Sequence, residues 1–163
     1  MGTSERILWD MCFSWNHAQL RSKNGTISTV PPHTLDSSAT LPISRKMSII
    51  CPSLPWRLTI PAKQEIWEAY VTVQDVLRAL DEYFHTPVTV TELSTICAGH
   101  DGTLQSIRRA SRIRRVGASA GQCAPVDSGM TLRVDVLGED TMFAGLRPLA
   151  NNEHFILDLA TAI

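Results

Sequence analysis

The residues that first suggest chemistry are Gly-Ala-Ser-Ala-Gly at 117–121, which match the G-x-S-x-G pattern around a serine nucleophile. That chemistry needs Ser119 on a sharp strand-to-helix turn beside backbone N–H groups. An aspartate (Asp127, Asp135 or Asp140, of which Asp135 is the chosen candidate) and then His154 follow in the order of an α/β-hydrolase triad. However, a basic helix is predicted before the motif, and Pro125 limits any helix after it. A small serine hydrolase is therefore an alternative hypothesis, and a loop of small residues is the favoured interpretation.

A second candidate site is an arginine-rich helix predicted over about residues 104–115. Arg108, Arg112 and Arg115 share one face, and no acidic residue lies between Leu104 and Arg115. Such a face can bind RNA or a phosphate ligand. No aromatic residue lies among the arginines to stack on a base, and runs of charge are usually solvated surface. Binding of RNA or a phosphate ligand is thus a second alternative to the favoured solvated face.

The histidines and cysteines give weaker signals. His100 and Asp101 adjoin in a glycine-flanked turn and could perform acid–base work, although a helix cap explains Asp101 equally well. The other histidines show no metal-ligand spacing, and the four cysteines form no C-x-x-C pair. We therefore predict no metal site and no cofactor.

Two tryptophans are candidates for an interface with a partner. Trp9 and Trp15 lie outside the main periodic elements. They either anchor the N-terminal segment across the sheet or form a hot spot for a partner. Anchoring is the favoured interpretation.

The elements that must position these residues begin near residue 47. Alternating apolar residues predict strands at 47–51 and 56–60, joined as a hairpin over a proline-containing loop. A helix follows from Thr72, with Asp75 placed to complete a capping box, and a second starts at Thr89 with Glu92 in the same relation. The arginine helix is expected to stop near Gly117.

Three later segments are predicted as strands. Alternation of apolar and polar residues indicates strands around 132–136 and 155–159, with a short one at 142–146. In the first of them Arg133 and Asp135 share a face as partners for neighbouring strands.

This order of elements predicts an α+β fold: a small mixed or antiparallel sheet with about three helices on one face. A β-grasp-like arrangement, in which the last strand returns beside the first, is the minority alternative. Residues 1–46 are predicted as an N-terminal anchoring segment and a Ser/Thr/Pro-rich connection, and 47–163 as a single domain.

Several motifs stand in a fixed order along the chain, each of them once. They are Trp9-Asp10, Leu54-Pro55-Trp56-Arg57-Leu58-Thr59-Ile60, Val71-Thr72-Val73-Gln74-Asp75-Val76-Leu77, Arg133-Val134-Asp135 and Phe143-Ala144-Gly145-Leu146. The set resembles an uncharacterised family of fungal proteins, found mostly in mushroom-forming fungi and related basidiomycetes. The resemblance covers about residues 9–159 and implies an intracellular single-domain protein, with no activity, cofactor or catalytic residue to carry over. The sequence departs from the family pattern at 11–14, where a proline is usual, and at 117–129, which is unusually long.

Length and composition limit the classes of protein to which the chain can belong. The chain has 163 residues, one domain's length, and is 44% hydrophobic, so it can build a core. With 15 basic and 16 acidic residues, no overall field favours nucleic acid or anionic lipid. No apolar run reaches the roughly 20 residues of a membrane span, and Glu5 and Asp10 interrupt any secretory signal.

We therefore predict an intracellular protein, cytoplasmic or nuclear, with reduced cysteines and no membrane association. Its favoured function is that of a non-enzymatic protein-interaction domain whose exposed sheet edges pair with a partner, which includes a possible homodimer.

Overall fold

The computed structural model describes residues 5–62, 69–98, 103–119, 130–149 and 154–161, and for 117–119 it describes the backbone only. Short strands β1 (Arg6–Leu8), β2 (Gln19–Arg21) and β3 (Ile27–Thr29) form an antiparallel sheet in that order. A one-turn helix α1 (Pro32–Leu35) follows. Part of the segment that the sequence suggested as a connection therefore has regular structure.

A larger sheet holds the centre of the molecule. It contains β4 (Lys46–Ile50), β5 (Arg57–Pro61), β6 (Met142–Pro148) and β7 (His154–Ala160), in the order β5-β4-β7-β6. β4 and β5 form the expected antiparallel hairpin, β7 runs parallel to β4, and β6 runs antiparallel to β7. The last strand thus lies beside the first strand of this sheet, which is the adjacency that the β-grasp alternative predicts.

Three longer helices lie between the two halves of this sheet in sequence. They are α2 (Val73–Phe84), α3 (Val90–Cys97) and α4 (Thr103–Ser119). The Thr72–Asp75 and Thr89–Glu92 capping boxes are both present, because each threonine hydroxyl accepts from a backbone N–H and each carboxylate accepts in return. Strands and helices together confirm the α+β class.

One expectation about local structure is wrong. Residues Arg133–Leu137 form a buried 3-10 turn rather than a strand, because the Asp135 carboxylate accepts the Leu132 N–H and closes the turn. Helix α4 ends at Ser119, two residues past Gly117 and thus near the expected end. A glycine inside a helix costs about 1 kcal/mol and does not by itself end it.

One hydrophobic core joins the N-terminal segment to the main sheet and α2. Trp9 and Met11 are buried in the same cluster as Met47, Leu77 and Phe84. The proposed boundary at residue 46 stays a prediction.

Candidate functional site

Among the strands that the structure describes, β5 is an edge of the main sheet and pairs with β4 alone. The N–H of Ala62 donates to the Arg45 carbonyl at 2.8 Å, which fixes the hydrogen-bonded pairs of the β4–β5 ladder. Because such pairs alternate in an antiparallel ladder, the main-chain groups of Arg57 and Thr59 point away from β4. The edge therefore presents donors and acceptors in the plane of the sheet.

The opposite edge of the sheet is partly covered. At the start of β6, the N–H of Phe143 donates to the Trp9 carbonyl at 2.8 Å, and the N–H of Met11 donates to Thr141 at 3.0 Å. Farther along β6 the register shifts between Phe143 and Gly145, where φ is +137°. A bulge of this kind interrupts pairing. β5 is thus the more regular edge.

Helix α2 faces the β5 edge across an open groove of about 560 Å³, which we call the β5–α2 groove. Leu58, Thr59, Ile60 and Pro61 supply the strand wall. The helix wall consists of Asp75, Arg78, Ala79, Glu82 and Tyr83.

The two walls run in opposite directions. Val71, just before α2, donates its N–H to Ser44, and Ala62, just after β5, donates to the adjacent Arg45. The N-terminal end of α2 therefore lies beside the C-terminal end of β5.

A stacked arginine closes the other end of the β5–α2 groove. The Arg133 guanidinium carbon lies 4.6 Å from the Trp56 ring centroid and 4.7 Å from that of Tyr83. Its Nη2 pairs with Glu92 at 3.3 Å. Stacking and pairing together fix the plane of the guanidinium.

Two buried polar atoms at this end have no hydrogen-bond partner in the described part of the chain. They are the Tyr83 hydroxyl and Arg133 Nε. Burial raises the pKa of Tyr83 to about 12, with the Arg133 charge opposing the shift, so the hydroxyl keeps its proton at neutral pH.

The two arginines that line the groove each lie beside a carboxylate. Arg78 lies 3.4 Å from Asp75, and Arg133 is held by Glu92. The thiols, imidazoles and carboxylates of the described residues form no group of three or more that could hold a metal ion. Chemically, the groove offers a backbone edge, an apolar floor and a carboxylate, which suit recognition rather than bond-making.

A family model described as "Family of unknown function (DUF6699)" matches residues 7–154. The chain belongs to DUF6699. The match confirms the resemblance to an uncharacterised family. Searches of curated proteins and of solved structures each find no match. No helix in the described ranges has the length and apolar character of a membrane span.

In this DUF6699 protein the predicted arginine face lies outward. Arg108 and Arg112 are exposed and, with Arg115 and Val116, line a second groove of about 510 Å³. Arg115 also donates to the carbonyl and hydroxyl oxygens of Ser111, both at 3.2 Å. The structure therefore brings the three predicted arginines to one surface.

The predicted triad residues have other surroundings. Asp135 accepts two hydrogen bonds from Arg114, at 2.8 and 3.0 Å, and both side chains are buried. His154 begins β7, with its Nε2 3.5 Å from Arg57 Nη1. Ser119 ends α4, so its backbone is helical rather than a strand-to-helix turn, and residues 120–121 lie outside the described ranges. The triad stays a prediction, and Asp135 has a structural role.

The two tryptophans lie at different depths. Trp9 is 2% exposed, packs on Phe143 and donates its Nε1–H to the Phe13 carbonyl at 2.9 Å. Trp15 is half-buried against the core. A fully buried ring has little surface to offer a partner. His100 and Asp101 lie outside the described residues.

Sequence reasoning missed the Arg114–Asp135 pair and the stacked Arg133. A signal for Arg114 was available, since its spacing from Ile107 and Ser111 puts it on the inward face of α4, and both of those residues are 1% exposed. The stack had no such signal, because it joins three separate elements.

Proposed function

We propose that this protein is a non-enzymatic interaction domain that binds an extended segment of a partner protein by β-strand addition at β5. The observation that carries the proposal is the regular edge of β5, which no other described strand covers on its outer side and which forms one wall of the β5–α2 groove. An added strand would use the outward main-chain groups of Arg57 and Thr59, while its side chains on one face pack against α2.

Peptides selected from a display library of ten-residue segments provide the probe. We expect the selected peptides to bind wild-type protein and to lose at least tenfold in affinity for Ala79→Trp, which fills the groove. Thr59→Pro should have a similar effect, because it removes the outward N–H while leaving the hydrogen-bonded pairs with β4 intact. Fluorescence anisotropy measures each affinity.

Thr59→Val is the matched control, since it changes the side chain and keeps the N–H. Circular dichroism establishes that each variant is folded. Equal binding by wild type, Thr59→Pro and Ala79→Trp would reject strand addition at this groove. If the occupant is instead a second copy of this chain, the wild type should elute as a dimer in size-exclusion chromatography, and Thr59→Pro should elute as a monomer.

We further propose that the protein is intracellular, in the cytoplasm or nucleus of a basidiomycete fungus. The free thiols of Cys51 and Cys97 support a reducing compartment. A fluorescent fusion expressed in such a fungus, viewed against nuclear and secretory markers, tests the assignment.

A second candidate function is binding of RNA or a phosphate ligand at α4. Its support is that the exposed Arg108 and Arg112 form no ion pair with any other described residue. Binding of single-stranded RNA should weaken steeply with salt and disappear when Arg108, Arg112 and Arg115 are changed to glutamine. Unchanged RNA binding by the triple variant would exclude α4 as the site.

A further inference from the structure

The helix wall of the β5–α2 groove presents a stripe of three residues in a row along one face of α2. Asp75, Ala79 and Glu82 follow one another along one face of α2, with axial separations of about 6 and 4.5 Å. Side chains on one face of a strand repeat about every 6.7 Å. The rise from Ala79 to Glu82 is about 2 Å shorter than this repeat. The long, flexible side chains of glutamate and of a lysine or arginine can span that difference, so two successive same-face residues of an added strand can still contact Ala79 and Glu82. This inference rests on the proposed strand addition.

The middle position of the stripe is small and apolar. Ala79 packs against the core and faces Leu58 and Ile60 across the groove, with Tyr83 one turn along the helix. A methyl group at this point leaves space between the two walls that a large apolar side chain would fill. Burying such a side chain contributes favourably in proportion to the apolar area removed from water.

The next position carries a charge without a partner. Glu82 is exposed and forms no ion pair with another described residue. The nearby cations are already engaged, since Arg78 lies beside Asp75 and Arg133 is held by Glu92. The unpaired carboxylate favours a cationic side chain, whose aliphatic stem can lie against the groove wall.

We infer that the partner segment carries a large apolar residue opposite Ala79 and, two residues later, a lysine or arginine opposite Glu82. The order follows from strand direction. β5 runs antiparallel to α2, so a segment antiparallel to β5 runs in the same direction as α2 and reaches Ala79 before Glu82. Antiparallel pairs are the commoner kind.

A charge exchange tests this inference with the display-selected peptides themselves. A selected peptide with the apolar-x-Lys pattern should bind Glu82→Lys roughly five- to tenfold more weakly than wild type. The same peptide with its lysine changed to glutamate should bind wild type weakly and regain affinity for Glu82→Lys. Glu139→Lys, at another exposed acidic position that lies outside the groove lining, should leave both affinities unchanged.

The size of the apolar pocket is tested by a second variant. Ala79→Leu should shift selection at the apolar position toward alanine, valine or other small residues. Groove-dependent binding that is indifferent to the charge exchange, or selected peptides with no basic residue at the second position, would overturn this inference alone. Failure to select any groove-dependent peptide would overturn the proposed function and this inference with it.

Discussion

At the residue scale, the buried pair of Arg114 and Asp135 holds α4 against the 3-10 turn at Arg133–Leu137. The guanidinium donates to both carboxylate oxygens and also to the Met130 carbonyl at 3.1 Å. Asp135 also accepts the N–H of Leu132 at 2.8 Å. Because these charges are almost fully removed from water, each depends on the other to remain satisfied.

We expect Asp135→Asn to lower the free energy of unfolding by about 3–5 kcal/mol, since it leaves a buried guanidinium without its counterion. Urea denaturation monitored by circular dichroism measures the loss. Adding Arg114→Met should recover part of it, because the unpaired charge is then gone. Asp158→Asn, which breaks the exposed pair with Arg147, is the control and should hardly shift the midpoint. An Asp135→Asn protein as stable as wild type would contradict the assigned role.

His85 is a partly buried group with consequences for stability. Its Nδ1 lies 2.9 Å from the carbonyl oxygen and 3.0 Å from the carboxylate Oδ1 of Asp81. Burial alone would lower the pKa of His85, but interactions with Asp81 and with the Cys12 carbonyl outweigh it and raise the pKa above the ordinary 6.5. Asp81 therefore stabilises the protonated imidazole at the end of α2.

We expect wild-type stability to fall as pH rises through the raised pKa of His85. The folded-state pKa exceeds the unfolded one, so the contribution is fully present below about pH 6.5 and is lost above the folded value. Urea midpoints between about pH 5.5 and 8.5 measure this. His85→Gln should flatten the profile, while the exposed His17→Gln should not. Parallel profiles for wild type and His85→Gln would refute the linkage.

At the scale of elements, local signals predicted some segments and missed others. The starts of α2 and α3 were predictable because a threonine three residues before an acidic residue forms a capping box, which needs no contact with the rest of the chain. The alternating apolar residues predict a strand around 132–136. The Asp135 carboxylate instead closes a 3-10 turn, and its pairing with Arg114 of α4 is a tertiary contact that the alternation does not show. The groove was not predictable, because its walls meet only in the folded chain.

We expect Thr72→Ala to reduce stability by about 1 kcal/mol, because Thr72 Oγ1 accepts from the Asp75 N–H at the start of α2. Chemical denaturation measures the change. Thr91→Ala, at an exposed position in the first turn of α3, should stay within about 0.5 kcal/mol of wild type. Equal effects of the two substitutions would show that the cap contributes nothing.

At the scale of the whole molecule, the N-terminal segment contributes to the core of the main sheet. Trp9 belongs to the same buried cluster as Met47 and Leu157, and its carbonyl pairs with Phe143. The sequence indicated an anchoring role from the position of Trp9 outside the periodic elements. It gave no register for that contact, because the backbone pairing with β6 joins segments far apart in the chain.

We expect Trp9→Ala to cost about 3–5 kcal/mol, the usual loss for a large aromatic residue in a core. The melting temperature should fall by roughly 6–20 °C for a chain of this size. Trp15→Ala should cost less, because that ring is only half-buried. Scanning calorimetry measures both. A larger loss for Trp15→Ala than for Trp9→Ala would contradict the assignment of Trp9 as the main anchor.

The parallel pairing of β4 with β7 has a consequence for synthesis. In this pairing Ser48, Ile49 and Ile50 lie opposite His154, Phe155 and Ile156. The middle of the main sheet therefore cannot form until β7 is translated, long after the β4–β5 hairpin. During that interval the emerging β4–β5 hairpin lacks its central neighbour and exposes apolar residues such as Met47 and Ile49. A nascent chain on a ribosome that pauses before β7 would therefore be prone to aggregate. The main sheet is completed only when β7 pairs with β4.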